Sequence, residues 1–502
     1  MCQMIGTQSV MNRSILLIFL FAALTGCEHS VNDVSKSDYE QPNIVYILAD
    51  DLGYGDIGPF GQKQILTPNL DRMSIEGMRL TQHYSGSPVC APSRSVLMTG
   101  LHTGHTPIRG NLEHLPIGQA PLPYGVPTIA ELLKKAGYST GAFGKWGLGY
   151  PESEGSPTQQ GFDYFFGYND QRRAHFYYPE FLFREVKGKK IERVTLDGNE
   201  VNDNPDRHPG SGPPVKRGTY SQDAIAKEAL SFIEDHANRE APFFLYMPMN
   251  IPHASLTVPR ESMDPYLNEN GDSIFLEKPF NGNHYTTQPK PRATYAAMVS
   301  LLDSYVGMVL DKLREEGIDK NTLVIFTSDN GPQFEGGHNP AFFDSNGPLR
   351  GGKRDLYEGG IRVPTIAWWP GTVPENTYSD HISAFEDMMP TFAQLAGIAP
   401  LPNIDGISMV PTLTGSEEQQ KRNYLYWEFP AQGGKQAVRK GKWKAVRLDV
   451  TKNPDAAIEL YNLNDDLGEQ HNIAMEHPNI VDEMTELMNN ARVHSDAFPL
   501  YE

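Results

Sequence analysis

The chain has 502 residues, of which 39% are hydrophobic and 21% are charged. This composition is typical of a soluble globular protein, and the length predicts two domains rather than one compact core. The formal net charge is −19 at pH 7. Proteins that bind nucleic acid present a basic face to the phosphates, so we expect no nucleic acid as a partner. An anionic substrate would need positive charge that is confined to its pocket.

The N-terminal segment has the features of an export signal. Arg13 precedes an apolar run over residues 15–24, which is too short to span a membrane comfortably. The run ends in Leu-Thr-Gly-Cys27, which resembles a bacterial lipobox; a plain secretory signal is the alternative. We therefore interpret residues 1–27 as a lipoprotein signal peptide and residues 28–40 as a tether.

This interpretation implies an exported protein of the periplasm or cell envelope of a Gram-negative bacterium. The membrane would hold it only through a lipid on Cys27, and the sequence allows translation to start at Met1 or at Met11. The chain has three cysteines, and processing at Cys27 would leave Cys90 as the only thiol. A lone thiol in an oxidising compartment is a liability unless it has a function.

Strands and helices alternate along the next part of the chain. Apolar runs predict strands over residues 43–48, 138–143, 243–247 and 322–327, and helical spacing predicts helices over residues 128–137, 224–236 and 293–316. The first strand is followed by Asp50 and Asp51. Ligands of open α/β sheets bind beyond the carboxyl ends of the strands, and two adjacent carboxylates there need a cation. A solvated acidic turn is the alternative.

Residues 87–100 place a cysteine at the start of a predicted helix. Cys90 is followed by Pro92, which the first turn of a helix tolerates, and then by an apolar run. Backbone N–H groups and the positive end of the helix dipole would face Cys90. Arg94 lies one turn further along the same face. This arrangement suits an anion beside a sulfur nucleophile or a group made from it, whereas most lone cysteines simply pack as small hydrophobic residues.

The pattern Cys-x-Pro-Ser-Arg from Cys90, followed by Leu-Met-Thr-Gly, resembles the signature of the type I sulfatases of the alkaline phosphatase superfamily. In that family a formylglycine-generating enzyme or an anaerobic maturase oxidises the cysteine to formylglycine. The resemblance implies an α/β fold with a large mixed, mostly parallel sheet sandwiched by helices. It also implies a smaller C-terminal domain with an antiparallel sheet and a helix.

Residues 144–149 carry a second resemblance and one departure from it. They read Gly-Lys-Trp-Gly-Leu-Gly, whereas the matching segment of sulfatases is usually Gly-Lys-Trp-His-Leu-Gly. Lys145 therefore matches the family's lysine, and Gly147 stands where its histidine is expected. The departure leaves open what deprotonates the second hydroxyl of the formylglycine hydrate.

Residues 151–220 are rich in Gly, Pro and polar side chains and are predicted to form an insertion over the active-site face. Arg172, His175 and Tyr177 bring basic and aromatic groups together there, which suits a sulfated sugar; an aromatic cluster that packs the loop is the alternative. His175 is our candidate to replace the missing histidine. The stretch resembles sulfatases of marine bacteria that act on algal galactans such as carrageenan, which implies a sulfated oligosaccharide or polysaccharide as the substrate.

Oxygen-bearing side chains also follow the fourth predicted strand, and with those after the first strand they predict a metal site. Asp329 and Asn330 follow the fourth strand, and with Asp50 and Asp51 they give an all-oxygen set, to which the family adds the formylglycine made from Cys90. Oxygen ligands select Ca²⁺ or Mg²⁺ and argue against zinc; the family usually holds calcium. Other positions that match the family or lie beside its motifs are His253, which would bind sulfate or protonate the leaving group, Lys353 in the active site, and Gln333 and His338 as substrate contacts.

The character of the sequence changes after residue 415. We predict a sulfatase catalytic domain over residues 41–415 and a smaller domain over residues 416–502. Short strands are predicted in the latter at 423–429, 436–448 and 458–463, with a closing helix at 477–491.

The mechanism implied by the resemblance is sulfate ester hydrolysis. A hydroxyl of the hydrated aldehyde attacks sulfur with Asp329 as base, while the basic side chains stabilise charge on the sulfate oxygens. His253 or Lys353 protonates the sugar oxygen, and the second hydroxyl then loses its proton and expels sulfate. One alternative is a phosphoester or phosphonate hydrolase of the same superfamily. Another is a non-catalytic lipoprotein that captures sulfated glycans.

Overall fold

The computed structural model describes residues 41–282 and 284–502. The predicted signal peptide, tether and lipidated Cys27 lie outside these residues. The strands in the described part are β1 (Asn43–Ala49), β2 (Met78–Leu80), β3 (His83–Tyr84), β4 (Ser139–Lys145), β5 (Tyr164–Tyr168), β6 (Phe181–Val186), β7 (Glu192–Thr195), β8 (Glu200–Val201), β9 (Pro214–Lys216), β10 (Phe243–Pro248), β11 (Thr322–Ser328), β12 (Thr365–Trp368), β13 (Thr377–Ser379), β14 (Ser383–Ala384), β15 (Leu425–Phe429), β16 (Lys435–Lys440), β17 (Trp443–Leu448) and β18 (Ile458–Asn462). The helices are α1 (Pro68–Ile75), α2 (Cys90–Thr99), α3 (Ile129–Lys135), α4 (Ser221–Ala237), α5 (Pro291–Glu315), α6 (Pro340–Phe343), α7 (Glu358–Ile361), α8 (Met388–Leu395), α9 (Val410–Thr414) and α10 (Pro478–Asn490).

Ten strands form one mixed sheet in the order β13-β2-β12-β11-β1-β10-β4-β5-β6-β7. The central strands β11, β1, β10, β4 and β5 are parallel, and β1 is buried along its whole length, as expected where helices cover both faces. Alternate side chains of β1 enter two separate hydrophobic clusters, one shared with α4 and α5 and the other with α2, α3 and α8. The predicted α/β sandwich is confirmed.

The long helix α5 is apolar enough to cross a membrane by length and composition alone. In its most apolar stretch, 78% of the residues are buried within the protein, as in the core helix of a globular protein. It packs against α1 and α4 on one face of the large sheet.

The region predicted as an insertion over the active site is partly built into the sheet. Its strands β5, β6 and β7 extend the large sheet beyond β4, and β8 and β9 form a separate hairpin. The segment that connects β5 to β6 includes residues 169–178, which carry the predicted basic and aromatic side chains. Only part of residues 151–220 is therefore free to line a site.

The C-terminal sheet is antiparallel in the order β15-β16-β17-β18 and packs against α10, which agrees with the predicted architecture. The predicted strand over 436–448 is in fact a hairpin of β16 and β17. Gly441 forms the turn with φ of +57°, a conformation that glycine adopts without a steric penalty. Glycine between two lysines was the turn signal that the prediction overlooked.

A buried ionic cluster joins this sheet to the catalytic part of the chain. Glu358 at the start of α7 accepts a hydrogen bond from Tyr84 at 2.5 Å and one from Lys444 of β17 at 2.9 Å. Lys444 also contacts Glu469 at 3.4 Å, and the side chains of Lys444, Glu358 and Glu469 are fully buried. Burial would raise the pKa of Glu358, but Lys444 and the nearby arginines lower it to about 2. Lys444 is therefore shared by two buried carboxylates, of which Glu358 also contacts Arg362 and Arg439.

A further buried carboxylate, Asp56, has no ion-pair partner among the described residues. Asp56 accepts hydrogen bonds from Tyr295 of α5 at 2.6 Å and from the backbone of Gly53 at 2.8 Å. Its other oxygen has no hydrogen-bond partner, and no ion pair among the described residues includes Asp56. Burial raises the pKa of Asp56 to about 7.

We expect Lys444→Met to lower the free energy of unfolding by about 3–5 kcal/mol, because it leaves Glu469 buried without its cation and removes the cation closest to Glu358. Urea denaturation measures this change. Lys440→Met is the matched control, since Lys440 pairs with Glu483 at the surface and its loss is expected to cost less than about 1 kcal/mol. Equal effects of the two substitutions would contradict the role of Lys444.

We expect Asp56→Asn to change how stability depends on pH. The folded-state pKa of Asp56 lies above that of the unfolded chain, so the folded protein binds the extra proton and the contribution to stability falls as the pH rises from about 4 to 7. The side-chain amide of asparagine does not titrate in this range, so Asp56→Asn removes this pH-dependent loss of stability.

Melting temperatures at pH 5 and pH 8 test the effect. The melting temperature of Asp56→Asn minus that of the wild type should be more positive at pH 8 than at pH 5. The exposed control Asp264→Asn should give the same difference at both pH values, because its partner Arg260 keeps its charge throughout this range. A constant difference for Asp56→Asn would refute this assignment.

Candidate active site

The site begins at the adjoining ends of β1 and β11. The two strands pair in parallel up to Ala49 and Ser328, so the residues that follow them leave the sheet at the same level. The backbone N–H of Asp51 donates to Asp329 at 3.2 Å, and the amide of Asn330 donates to Asp51 at 2.7 Å. The sequence placed two pairs of oxygen donors at two strand ends, and the structure brings the pairs into contact.

Three basic side chains surround these carboxylates. Lys145, the last residue of β4, lies 2.5 Å from Asp50. Lys353 lies 2.7 Å from Asp51. Arg94 of α2 lies 2.8 Å from Asp329 and 3.7 Å from Asp50. All six side chains are almost completely buried. Three basic side chains therefore pair with three aspartates in the interior of a protein whose net charge is strongly negative.

The pKa values of the three aspartates reflect this balance. Burial acts to raise the pKa of Asp50, but Lys145 and Arg94 hold it below its ordinary value. Asp51 is held below its ordinary pKa in the same way by Lys353 and His253. Burial and the charge of Asp50 raise the pKa of Asp329 to about 7, although Arg94 and Lys145 oppose the rise. Asp329 is therefore the aspartate of the three whose negative charge the protein stabilises least.

Cys90 is the first residue of α2, as predicted, and its sulfur lies 3.4 Å from Asp50. Burial and the charge of Asp50 raise the pKa of the Cys90 thiol far above its ordinary value. The thiolate is the nucleophilic form of cysteine, so the unmodified residue is a poor nucleophile in this position.

The donor set fits a hard divalent cation. Ligand atoms of Asp50, Asp51, Cys90 and His253 all lie within 4.8 Å of one another. Oδ1 of Asn330 is buried without a hydrogen-bond partner, so a lone pair is available beside the carboxylates. Oxygen donors of this kind are those that Ca²⁺ and Mg²⁺ prefer.

His253 lies beside Lys353 and Asp51. Its Nδ1 contacts the carbonyl of Ala254, and its Nε2 lies 3.0 Å from Nζ of Lys353 and 3.4 Å from Asp51. Burial and the charge of Lys353 lower the pKa of His253. The neutral ring therefore donates from Nδ1 to the carbonyl of Ala254 and accepts a hydrogen bond from Lys353 at Nε2.

The predicted residues of the 169–178 segment lie on the other side of His253. The ring of His175 stacks on that of His253 with 4.7 Å between the centroids, and Nδ1 of His175 has no hydrogen-bond partner. The hydroxyl of Tyr177 donates to the carbonyls of Asn250 and His253, so this buried residue supports the His253 loop. Arg172 pairs with Glu113. Their predicted roles toward substrate stay predictions.

Gln333 and His338 also lie close to the described site. Gln333 is fully buried, and its side-chain nitrogen has no hydrogen-bond partner. The ring of His338 stacks on Tyr295 with 3.6 Å between centroids, and burial lowers the pKa of His338 to about 3. His338 is thus a neutral ring held against α5, and its contact with substrate stays a prediction.

Three neighbours of the site were absent from the sequence interpretation. Glu335 lies 3.9 Å from Lys353. Tyr285 contacts the rings of His175 and His253. Gln171 lies against Gly147, the position where the expected histidine is missing. None of them belongs to a motif, and only a search for partners of the predicted residues in the fold finds them.

The comparisons with known proteins agree with this geometry. The family described as Sulfatase matches residues 42–398, and the family described as N-sulphoglucosamine sulphohydrolase, C-terminal, matches residues 351–494. The chain is 32% identical over 408 residues to the N-acetylgalactosamine-6-sulfatase of Canis lupus familiaris, covering 77% of this chain and 69% of that protein. It is 32% identical over 468 residues to the arylsulfatase A of Homo sapiens, covering 86% and 83% respectively.

A solved structure has the same fold over most of its length. The crystal structure of Ps i-CgsB in complex with k-i-k-neocarrahexaose superposes with a TM-score of 0.71 at 31% identity, covering 90% of this chain and 92% of that one. The Sulfatase family matches the part of the chain that contains every residue of the predicted metal site. The chain therefore belongs to the sulfatase family, as a type I sulfatase of the alkaline phosphatase superfamily, and is a sulfuric ester hydrolase.

Proposed function

We propose that the enzyme hydrolyses sulfate esters on a sulfated carbohydrate, an algal galactan such as carrageenan or its oligosaccharides, through a formylglycine made from Cys90. The observation that carries the proposal is the convergence of Arg94, Lys145 and Lys353 on the carboxylates beside Cys90. A sulfate group carries one negative charge, and buried cations at the end of a helix are suited to it.

The nature of Cys90 supports a modified residue. Its thiol is neutral and buried, and the basic groups around it are placed to hold an anion. Hydrated formylglycine would supply a hydroxyl nucleophile and, unlike serine, a second hydroxyl through which sulfate can be expelled. A formylglycine-generating enzyme or an anaerobic maturase is then a required partner.

The metal ion that we propose is Ca²⁺, held by Asp50, Asp51, Asp329 and Asn330 together with the modified residue 90. It would polarise the sulfate oxygens and lower the pKa of the attacking hydroxyl. Asn330 would contribute a neutral oxygen ligand, since its Oδ1 has no hydrogen-bond partner in the protein.

The chain's own side chains account for the remaining steps. Arg94 and Lys145 lie where they can neutralise charge on the equatorial oxygens of sulfate. The ammonium of Lys353 donates a hydrogen bond to Nε2 of His253, so the pair can supply a proton to the departing sugar oxygen. Asp329, which contacts Arg94, is the proposed base. His253 is kept in orientation by its backbone contact and by Tyr177.

The carbohydrate assignment rests on the surroundings of this pocket. Arg172, His284 and Tyr285 combine basic and aromatic groups beside His175. The side chain of Phe334 is 54% exposed next to the buried Gln333. Aromatic faces and basic groups are suited to pyranose rings and their sulfates. The solved structure with 31% identity holds a neocarrahexaose, which favours the same class of ligand.

Export remains part of the proposal. The lipobox-like sequence that ends at Cys27 would anchor the enzyme to the cell envelope, where large polysaccharides or their fragments are accessible. Residues 1–40 lie outside the described part of the chain.

We expect protein produced together with a maturase to contain an aldehyde in place of the CH₂SH group of Cys90. It should release sulfate from sulfated galactan oligosaccharides and from an aryl sulfate, and much more slowly release phosphate from the matched aryl phosphate. Mass spectrometry of the peptide and ion chromatography of the products measure these outcomes.

Cys90→Ala should bind the same oligosaccharide but release no sulfate, because it cannot form the diol. Its melting temperature confirms that it is folded. Full turnover by Cys90→Ala would disprove the mechanism, whereas tight binding without release by the matured wild type would favour the glycan-capture alternative.

We expect chelation of divalent cations to abolish turnover and added Ca²⁺ to restore it better than Mg²⁺. Asn330→Ala should weaken Ca²⁺ binding, measured by calorimetry, by about tenfold, because it removes one oxygen ligand. Asp344→Asn on the exposed loop beyond α6 is the control and should bind Ca²⁺ like the wild type. Turnover that survives chelation would exclude a role for the ion.

A further inference from the structure

The space next to Gly147 is filled by another side chain. A Cβ atom at position 147 would lie 2.2 Å from Nε2 of Gln171 and 3.8 Å from Cδ of Arg94. Gly147 also has a φ of +78°, which disfavours any residue with a side chain. The glycine and the glutamine therefore form a matched pair, in which Gln171 takes the place where a side chain from residue 147 would begin.

The amide of Gln171 has no partner in the protein. The residue is 5% exposed, and neither Nε2 nor Oε1 makes a hydrogen bond. A buried primary amide with both ends unpaired is costly, and such groups in native structures are usually satisfied by water or by a ligand. The amide lies beside Arg94, which contacts Asp329 and Asp50. Gln171 therefore presents an unpaired amide beside the arginine that the proposed function assigns to the sulfate group.

The segment that holds Gln171 is fixed at both ends. The backbone N–H of Gly147 donates to the carbonyl of Asn169 at 3.0 Å, and the carboxylate of Asp170 accepts from the backbone of Arg173 at 2.8 Å. Gln171 lies between these two anchors, so its backbone is held beside Gly147 independently of any ligand. His175 lies further along the same segment, against His253.

We propose that Gln171 is a further substrate-contacting residue, which binds the sulfate group through its side-chain amide from the position that Gly147 leaves open. This inference rests on the proposed function of the site. An amide donates and accepts hydrogen bonds but takes up no proton at neutral pH. Gln171 therefore orients the sulfate and does not act as a base, and proton removal from the second hydroxyl falls to another group.

The affinity for inorganic sulfate tests the contact directly. Calorimetry on the matured, Ca²⁺-loaded enzyme should show that Gln171→Ala weakens sulfate binding by about ten- to a hundredfold, as expected for a lost hydrogen bond to a charged group. kcat/KM for an aryl sulfate should fall by a similar factor. Gln436→Ala is the matched control, because it truncates another buried glutamine in the C-terminal sheet and should change stability without changing sulfate affinity.

The pairing with Gly147 is tested by stability alone. Gly147→Ala should lower the melting temperature much less in the Gln171→Ala background than in the wild type, because the clash is gone while the cost of the φ angle is the same in both. Equal cost in both backgrounds, or a sulfate affinity of Gln171→Ala within twofold of the wild type, would overturn the proposal. If the wild type itself releases no sulfate from any ester, the proposed function fails, and sulfate affinity still decides the role of Gln171.

Discussion

The carboxylates at the ends of β1 and β11 are buried, and a buried negative charge is tolerated only beside a positive one. The parallel register of the two strands forces Asp50, Asp51 and Asp329 together, so three cations must come from elsewhere in the fold. Lys145 comes from β4, which is separated from β1 by β10, Arg94 comes from α2, and Lys353 comes from the loop before α7. The elements around the sheet are arranged by this need for charge balance.

The same balance explains how a strongly acidic protein can bind an anion. The positive charges of Arg94, Lys145 and Lys353 are buried, where water screens them much less than at the surface. A cation at the carboxylates would release Lys145 and Lys353 from part of their present interactions. Their positive charge would then be directed toward the space beside Cys90. Under the proposed function, metal and anion would thus be complementary ligands of one site.

Much of this arrangement was predictable from the sequence, and the reasons are physical. Asp50, Asp51, Asp329 and Asn330 follow uninterrupted apolar strands, and the carboxyl ends of parallel strands meet at one edge. Cys90 and Arg94 are spaced by one helical turn. The contacts of Gln171, Glu335 and Tyr285 depend instead on how long loops fold back over the sheet, which no local periodicity encodes. The β16–β17 hairpin was missed for a smaller reason, a single glycine inside an otherwise continuous strand pattern.

Every residue of α2 is buried, and Cys90 is only 2% exposed. An enzyme that oxidises a side chain must grip several residues on each side of it, and the packed helix offers it none. Under the proposed function, modification of Cys90 and folding would compete for the same ten residues. A chain that folded before its maturase arrived would keep its thiol buried and unmodified. The specific activity of a preparation would then report how many chains met the maturase before they folded.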